Sequence, residues 1–124
     1  MSRKYIDNPN ACTLVHTMNT IGNKWKPIIL YLLSQGPLRF GMLNLLVPTI
    51  SKKVLSTQLK ELENDDLVSR TAYAETPPRV EYALTQKSKG LLPILKALSE
   101  WAEITYPEID FEQCRIADHQ LKEE

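Results

Sequence analysis

Glycine, cysteine and histidine are scarce in this sequence of 124 residues, which holds four, two and two of them. With so little glycine there is no loop suited to cradling phosphate, and no GxSxG stretch occurs. Cys12 and Cys114 lie far apart, form no CxxC pair and have only His16 and His119 as nitrogen companions. That pattern excludes a zinc finger and argues against a disulfide framework. No histidine stands beside both a nucleophile and a carboxylate, the pair Cys12 and His16 being the nearest approach. An enzyme is therefore not expected, and neither a metal nor a cofactor. The longest apolar run, 28–33, is far short of a bilayer crossing, and the N-terminus opens on polar residues without a signal-peptide core. A cytoplasmic protein with no membrane partner is the expectation.

Net charge is also lacking, but the zero conceals a division. Residues 1–60 carry eight Lys or Arg and one acid, whereas 61–124 carry seven and fourteen. A basic first half suggests a surface facing a polyanion, and the acidic second half a solvated or partner-facing end. The length suits one domain, and 43% hydrophobic with 24% charged residues is ordinary for a folded one, so disorder and fibrous repeats are excluded.

Along the chain, residues 1–11 read as a flexible arm, 12–106 as the folded domain and 107–124 as an acidic tail with a short helix expected over 111–121. Leu14, Val15, Met18 and Ile21 predict a first helix over 12–21, ended by Gly22. Asn23 then caps a second, in which Trp25, Ile28, Ile29, Leu32 and Leu33 form an apolar stripe and Pro27 is tolerated in the first turn. Gly36 and Pro37 stop it. A short strand over 38–40 and a brief helix over 42–47 come next, before Pro48.

The segment 51–64 is better marked. Ser51 is an N-cap, and Ile50 with Leu55 form a hydrophobic staple. At about 100° per residue, Leu55, Leu59 and Leu62 share one side. Lys53, Ser56, Thr57 and Lys60 gather near the opposite pole, where ammonium groups suit phosphates and hydroxyls suit base edges. Alone, this is an ordinary solvated helix face. The neighbouring segments 68–74 and 80–85 change its meaning: rich in Val, Tyr and Thr, they predict a hairpin whose loop carries Pro77, Pro78 and Arg79. A helix with an outward cationic side, then a hairpin, is the layout of a winged helix-turn-helix reader of double-stranded DNA. Lys24, Lys26 and Arg39 are candidates for flanking phosphates.

Thr85 is expected to cap a long last helix over 85–106, bent by Pro93, with Leu91, Leu92, Leu95, Leu98 and Trp101 forming a wide apolar surface. Together with the stripe of the first helix, this exceeds what one small core requires, and a homodimer would bury both. Trp25 and Trp101 fall on apolar stripes and read as core or interface, and Tyr73 and Tyr82 as sheet packing. Cys12 is open to two readings, a small buried hydrophobe or a thiol activated at a helix N-terminus.

With these pieces in order, the sequence resembles the HxlR family of bacterial winged-helix regulators from about Cys12 to Trp101. The matching pieces are Cys12, IGNKW at 21–25, LRF at 38–40, ISKKVLSTQLKELENDDLVSR at 50–70, PPRVEYALT at 77–85 and LLPILKALSEWAE at 91–103. The resemblance implies a mainly α fold with a small β hairpin, dimerising through its N- and C-terminal helices. It assigns DNA contact to the helix from Ser51 (Ser51, Lys52, Lys53, Ser56, Thr57, Lys60) and to Arg79 in the wing. Lys24 and Arg39 complete the expected DNA set, and Leu14, Met18, Leu91, Leu95, Leu98 and Trp101 the expected dimer seam. Some relatives use the cysteine matching Cys12 to sense oxidants or electrophiles, which carries that role here as an expectation; Cys114 matches no family position. Asn23, Asp66 and Ser88 stand where the family usually has glycine. The function expected is a sequence-specific transcriptional regulator, a repressor in preference to an activator, open to an oxidant or small-molecule effector. The alternative is a winged-helix protein-interaction module without specific DNA binding.

Overall fold

The computed structural model describes residues 7–111. The remaining residues, with Cys114, His119 and the expected tail helix, lie outside them. After a single 3-10 turn at Pro9–Ala11 come α1 (Thr13–Ile21) and α2 (Trp25–Leu32), the latter running into another 3-10 turn at Leu33–Gln35. β1 (Leu38–Arg39) leads to α3 (Phe40–Leu46) and α4 (Lys52–Asn64). The chain continues through β2 (Val68–Tyr73), β3 (Arg79–Leu84), α5 (Gln86–Lys89) and α6 (Leu92–Thr105).

Local chemistry explains most boundaries. Gly22 closes α1 with its N–H on the Met18 carbonyl, and a Cβ there would collide with that same carbonyl. Asn23 Oδ1 accepts from the N–H groups of Trp25 and Lys26 at 2.9 and 2.8 Å, satisfying two donors that a helix start leaves open. Gly36, at φ 141°, turns the chain into β1 through a conformation that side chains resist. Asp66 takes φ 60° after α4, the left-handed turn that aspartate tolerates better than most residues. Leu67 N–H then returns to the Leu62 carbonyl and starts β2 directly under the helix.

The sheet has three strands in the order β1-β3-β2, all antiparallel. Leu38 and Arg39 pair with Tyr82 and Glu81, so the short strand expected over 38–40 closes one edge of the hairpin. In β2 and β3 the register runs from Val68 opposite Leu84 to Tyr73 opposite Arg79, and the Thr76–Pro77 peptide bond is cis.

The last helix departs from expectation. Instead of one bent helix over 85–106, α5 ends at Gly90 and α6 begins anew, with Pro93 in its first turn, where the missing N–H costs nothing. Thr85 and Ser88 form a reciprocal capping box on α5, with Ser88 fully buried.

Ile29, Leu30 and Leu33 from α2 and its extension, Leu43, Ile50, the three leucines of α4, Leu67, Val68 and Leu95 make the core. Leu62 is 0% exposed, and burying such a side chain contributes about 1.5–3 kcal/mol. Leu62→Ala is therefore expected to cost about 3 kcal/mol in urea unfolding, including the cavity left behind. Leu45→Ala, on the exposed side of α3, should stay within about 0.5 kcal/mol; equal losses would mean the core is wrongly placed.

Candidate nucleic-acid interface

α4 begins where its sequence says it should. Ser51 Oγ accepts from Val54 N–H at 3.1 Å, and Ile50 and Leu55 are both buried beside it. Because Leu55, Leu59 and Leu62 are withdrawn into the core, the helix turns its other side outward. Ser51, Lys52, Lys53, Ser56, Thr57 and Lys60 are all exposed there. The Thr57 hydroxyl donates to the Lys53 carbonyl at 3.0 Å, which leaves its oxygen lone pairs facing out. Acidic residues enter this helix only from Glu61 onward, so its first turns carry cations alone.

The other basic candidates fare differently. Lys24 is exposed, with its ammonium 4.7 Å from the Trp25 ring centre, and Arg39 is exposed at the junction of β1 and α3. Lys26 is a correction: it is 5% exposed and its Nζ lies 2.8 Å from Glu61 Oε1, so it faces α4 within the subunit and not a phosphate outside it. Arg79 stands at the loop end of the hairpin, five residues along the ladder from Val68, or about 17 Å from the strand base. It is not free. Its guanidinium stacks 4.2 Å from the Tyr73 ring centre, and Nη2 lies 3.4 Å from Glu75 Oε1. Tyr73 thus packs within the sheet, against the arginine opposite it in the ladder, and Tyr82 packs against the core.

Two contacts are invisible to the sequence reading. Asn23 Nδ2 donates to Gln58 Oε1 at 2.9 Å, and one turn further on is the Lys26–Glu61 pair. A signal is nonetheless present in the spacing, since Asn23, just before α2, and Lys26, in its first turn, stand three apart, as do Gln58 and Glu61 on α4.

On a second surface, Leu14 and Met18 of α1 and Ile94, Leu98 and Trp101 of α6 are exposed apolar side chains. Leu95 corrects the expected seam. It is 8% exposed and belongs to the subunit's own core, with Leu91 half-buried against the same core, because α6 turns its 91–95 side inward and its 94–98–101 side outward. Between α1, α2 and α6 lies a groove of about 610 Å³ lined by Met18, Ile28, Tyr31, Leu46 and Leu98. Cys12, half-buried, is the N-cap residue of α1, and its carbonyl accepts from His16 N–H at 2.9 Å. Among the described residues no cluster of His, Cys, Asp and Glu could hold a metal ion, and no helix is long and apolar enough to cross a membrane.

Three core helices, a helix with a polar outward side and a hairpin on its C-terminal flank define a winged helix-turn-helix protein. The sequence matches the family of HxlR-like helix-turn-helix proteins over residues 20–110, and the chain belongs to that family. An HTH-type transcriptional regulator of Halalkalibacterium halodurans is 53% identical over 87 residues, covering 69% of this chain and 77% of that one. YdeP of Bacillus subtilis, also an HTH-type transcriptional regulator, is 37% identical over 116 residues, 93% of this chain and 91% of its own. Among solved structures, the redox regulator HypR in its oxidised form superposes with a TM-score of 0.71 at 40% identity, over 74% of this chain and 95% of its own. The reduced form of the transcriptional regulator YodB from B. subtilis gives 0.70 at 33% identity, over 80% and 98%. The protein is thus a DNA-binding transcriptional regulator of the helix-turn-helix type.

Proposed function

We propose that α4 enters the major groove and that the protein works as a homodimeric, thiol-responsive repressor. The observation that carries the reading is the two-sidedness of α4: its leucines are buried, while Lys52, Lys53, Ser56, Thr57 and Lys60 all reach solvent. The ammonium groups meet phosphates and fix the helix on the duplex, and the hydroxyls of Ser56 and Thr57 meet base edges. Lys24 and Arg39 add contacts to flanking phosphates, and Arg79 reaches the backbone or minor groove beside the wing once drawn from Glu75. A two-fold dimer sets two such helices about one turn of duplex apart. Repression results when such a dimer occupies DNA that polymerase needs.

Lys53→Ala combined with Lys60→Ala is expected to weaken binding in gel shifts on the DNA upstream of the protein's own reading frame. The slope of log affinity against log salt should fall by about 1.8 per protomer, from two lost phosphate contacts. A wild type that never shifts this DNA in preference to unrelated duplex would instead support a protein-interaction module.

The exposed stripes of α1 and α6 support self-association, since apolar surface of this extent is uncommon on a free subunit. Sedimentation should give twice the 14.2 kDa chain mass for the wild type and the single mass for Leu98→Glu with Trp101→Glu. A wild type that stays monomeric at micromolar concentration rules the dimer out.

Cys12 is the N-cap residue of the helix that carries Leu14 and Met18, so chemistry at its sulfur acts at the start of a helix in the proposed seam. The structural likeness to redox regulators supports this role. Diamide is expected to change the DNA affinity of the wild type and leave Cys12→Ser unaffected; an equal response in both removes Cys12 from the mechanism.

A further inference from the structure

Leucine packing holds α4 down, but it is a poor goniometer. The contacts of Leu55, Leu59 and Leu62 are non-directional, and a small roll of the helix about its axis trades one apolar neighbour for another. A roll matters for reading. At a helix radius of about 5–6 Å, turning by about 20° carries an outward side chain about 2 Å, more than a hydrogen bond to a base edge tolerates.

Two polar rungs oppose such a roll. Asn23 spans the gap at 2.9 Å to Gln58, and Lys26 at 2.8 Å to Glu61. Gln58 and Glu61 are three apart on α4, Lys26 is in the first turn of α2 and Asn23 stands just before that helix and caps it, so the two rungs tie the start of α2 to one side of α4. Gln58 and Glu61 are also the immediate neighbours of Thr57 and Lys60, two of the outward residues. Asn23 is itself fixed, because its Oδ1 is occupied by the first N–H groups of α2 while Nδ2 makes the rung. Lys26 is the more telling member. Its side chain is 6% exposed although its partner Glu61 is 48% exposed, so the pair spans the rim of the helix contact; an apolar residue would fill the buried place at least as well for stability, and setting register is the best-attested use of such polar pairs.

We propose that the rungs Asn23–Gln58 and Lys26–Glu61 set the rotation of α4 against α2, making Asn23 and Lys26 positioning residues for sequence discrimination. Neither touches DNA. This rests on the reading of α4 as the groove-entering helix. Its consequence is a separation of two properties: cationic side chains on α4 supply affinity for any duplex, and the rungs supply preference for one sequence.

The test begins with the wild-type protein selecting duplexes from a random library until a sequence converges. Lys26→Met keeps the apolar stem and removes the charge. It is expected to bind unrelated duplex at low salt as the wild type does, with its preference for the selected duplex reduced at least tenfold. Glu61→Gln retains an oxygen for the Lys26 ammonium and should keep most of that preference. A folded Lys26→Met with undiminished preference overturns the proposal, and so does a parallel fall of both affinities tracking a loss of helix content, the mark of a merely structural role. Should Lys26→Met not fold, Asn23→Ser serves: it keeps a capping oxygen on α2 and cannot reach Gln58. A several-fold drop in preference at constant non-specific affinity then supports positioning, and an unchanged preference refutes it. Failure of the wild type to converge on any sequence would sink the DNA-reading assignment itself, whereas convergence with equally selective variants sinks only the rungs.

Discussion

Leu55, Leu59 and Leu62 occupy one side of α4 and are almost wholly withdrawn from water, and the placement of everything on the other side depends on that burial. A helix with a single apolar stripe turns that stripe toward the core, which settles which side is buried and leaves the fine rotation to other contacts. Once it does, its lysines and hydroxyls have nowhere to go but out. The same seating fixes what comes next in the chain. Asp66 reverses direction in the left-handed region, Leu67 returns its N–H to the Leu62 carbonyl, and Val68 begins the hairpin already buried. The wing leaves from the C-terminal flank of the helix because that turn is so short.

Hydrophobic burial and polar pairing perform different tasks in this small domain. The former supplies most of the stability and is tolerant of detail. The latter is placed where direction matters: Ser51 and Asn23 at helix starts, the Thr85–Ser88 capping box, and the contacts between α2 and α4. Asn23, Asp66 and Ser88 each have a definite structural task. One caps and bridges, one adopts the turn and one closes a capping box. The turns are held here by side chains able to form local hydrogen bonds or to tolerate φ above zero.

Much of the fold is legible in the sequence, and the reason is periodicity. The stripes of α1, α2 and α4, the cap at Ser51 and the Val, Tyr and Thr content of the hairpin strands are local signals that tertiary packing has no cause to override. The illegible part depends on geometry between distant segments. Lys26 looks like any basic residue at a helix start until α4 is laid across it and supplies Glu61. Leu95 and Leu98 are equally apolar in sequence, and only the rotation of α6 decides that one is core and the other surface. The break at Gly90 is hidden for another reason: Pro93 reads as an insult to a long helix, although it sits well in the first turn of a new one. Arg79 reads as a bare cation, because Glu75 and Tyr73 meet it only across the turn and the strand pair.

That last arrangement has a bearing on how the wing would behave as an electrolyte. The guanidinium of Arg79 already has a carboxylate and an aromatic face for company, so any anion that recruits it must compete with them. Dissolved ions loosen the internal partnership along with the external one. The two effects oppose each other, and the hairpin tip should respond to ionic strength less than its formal charge suggests, leaving the helix lysines to set the sensitivity of the whole.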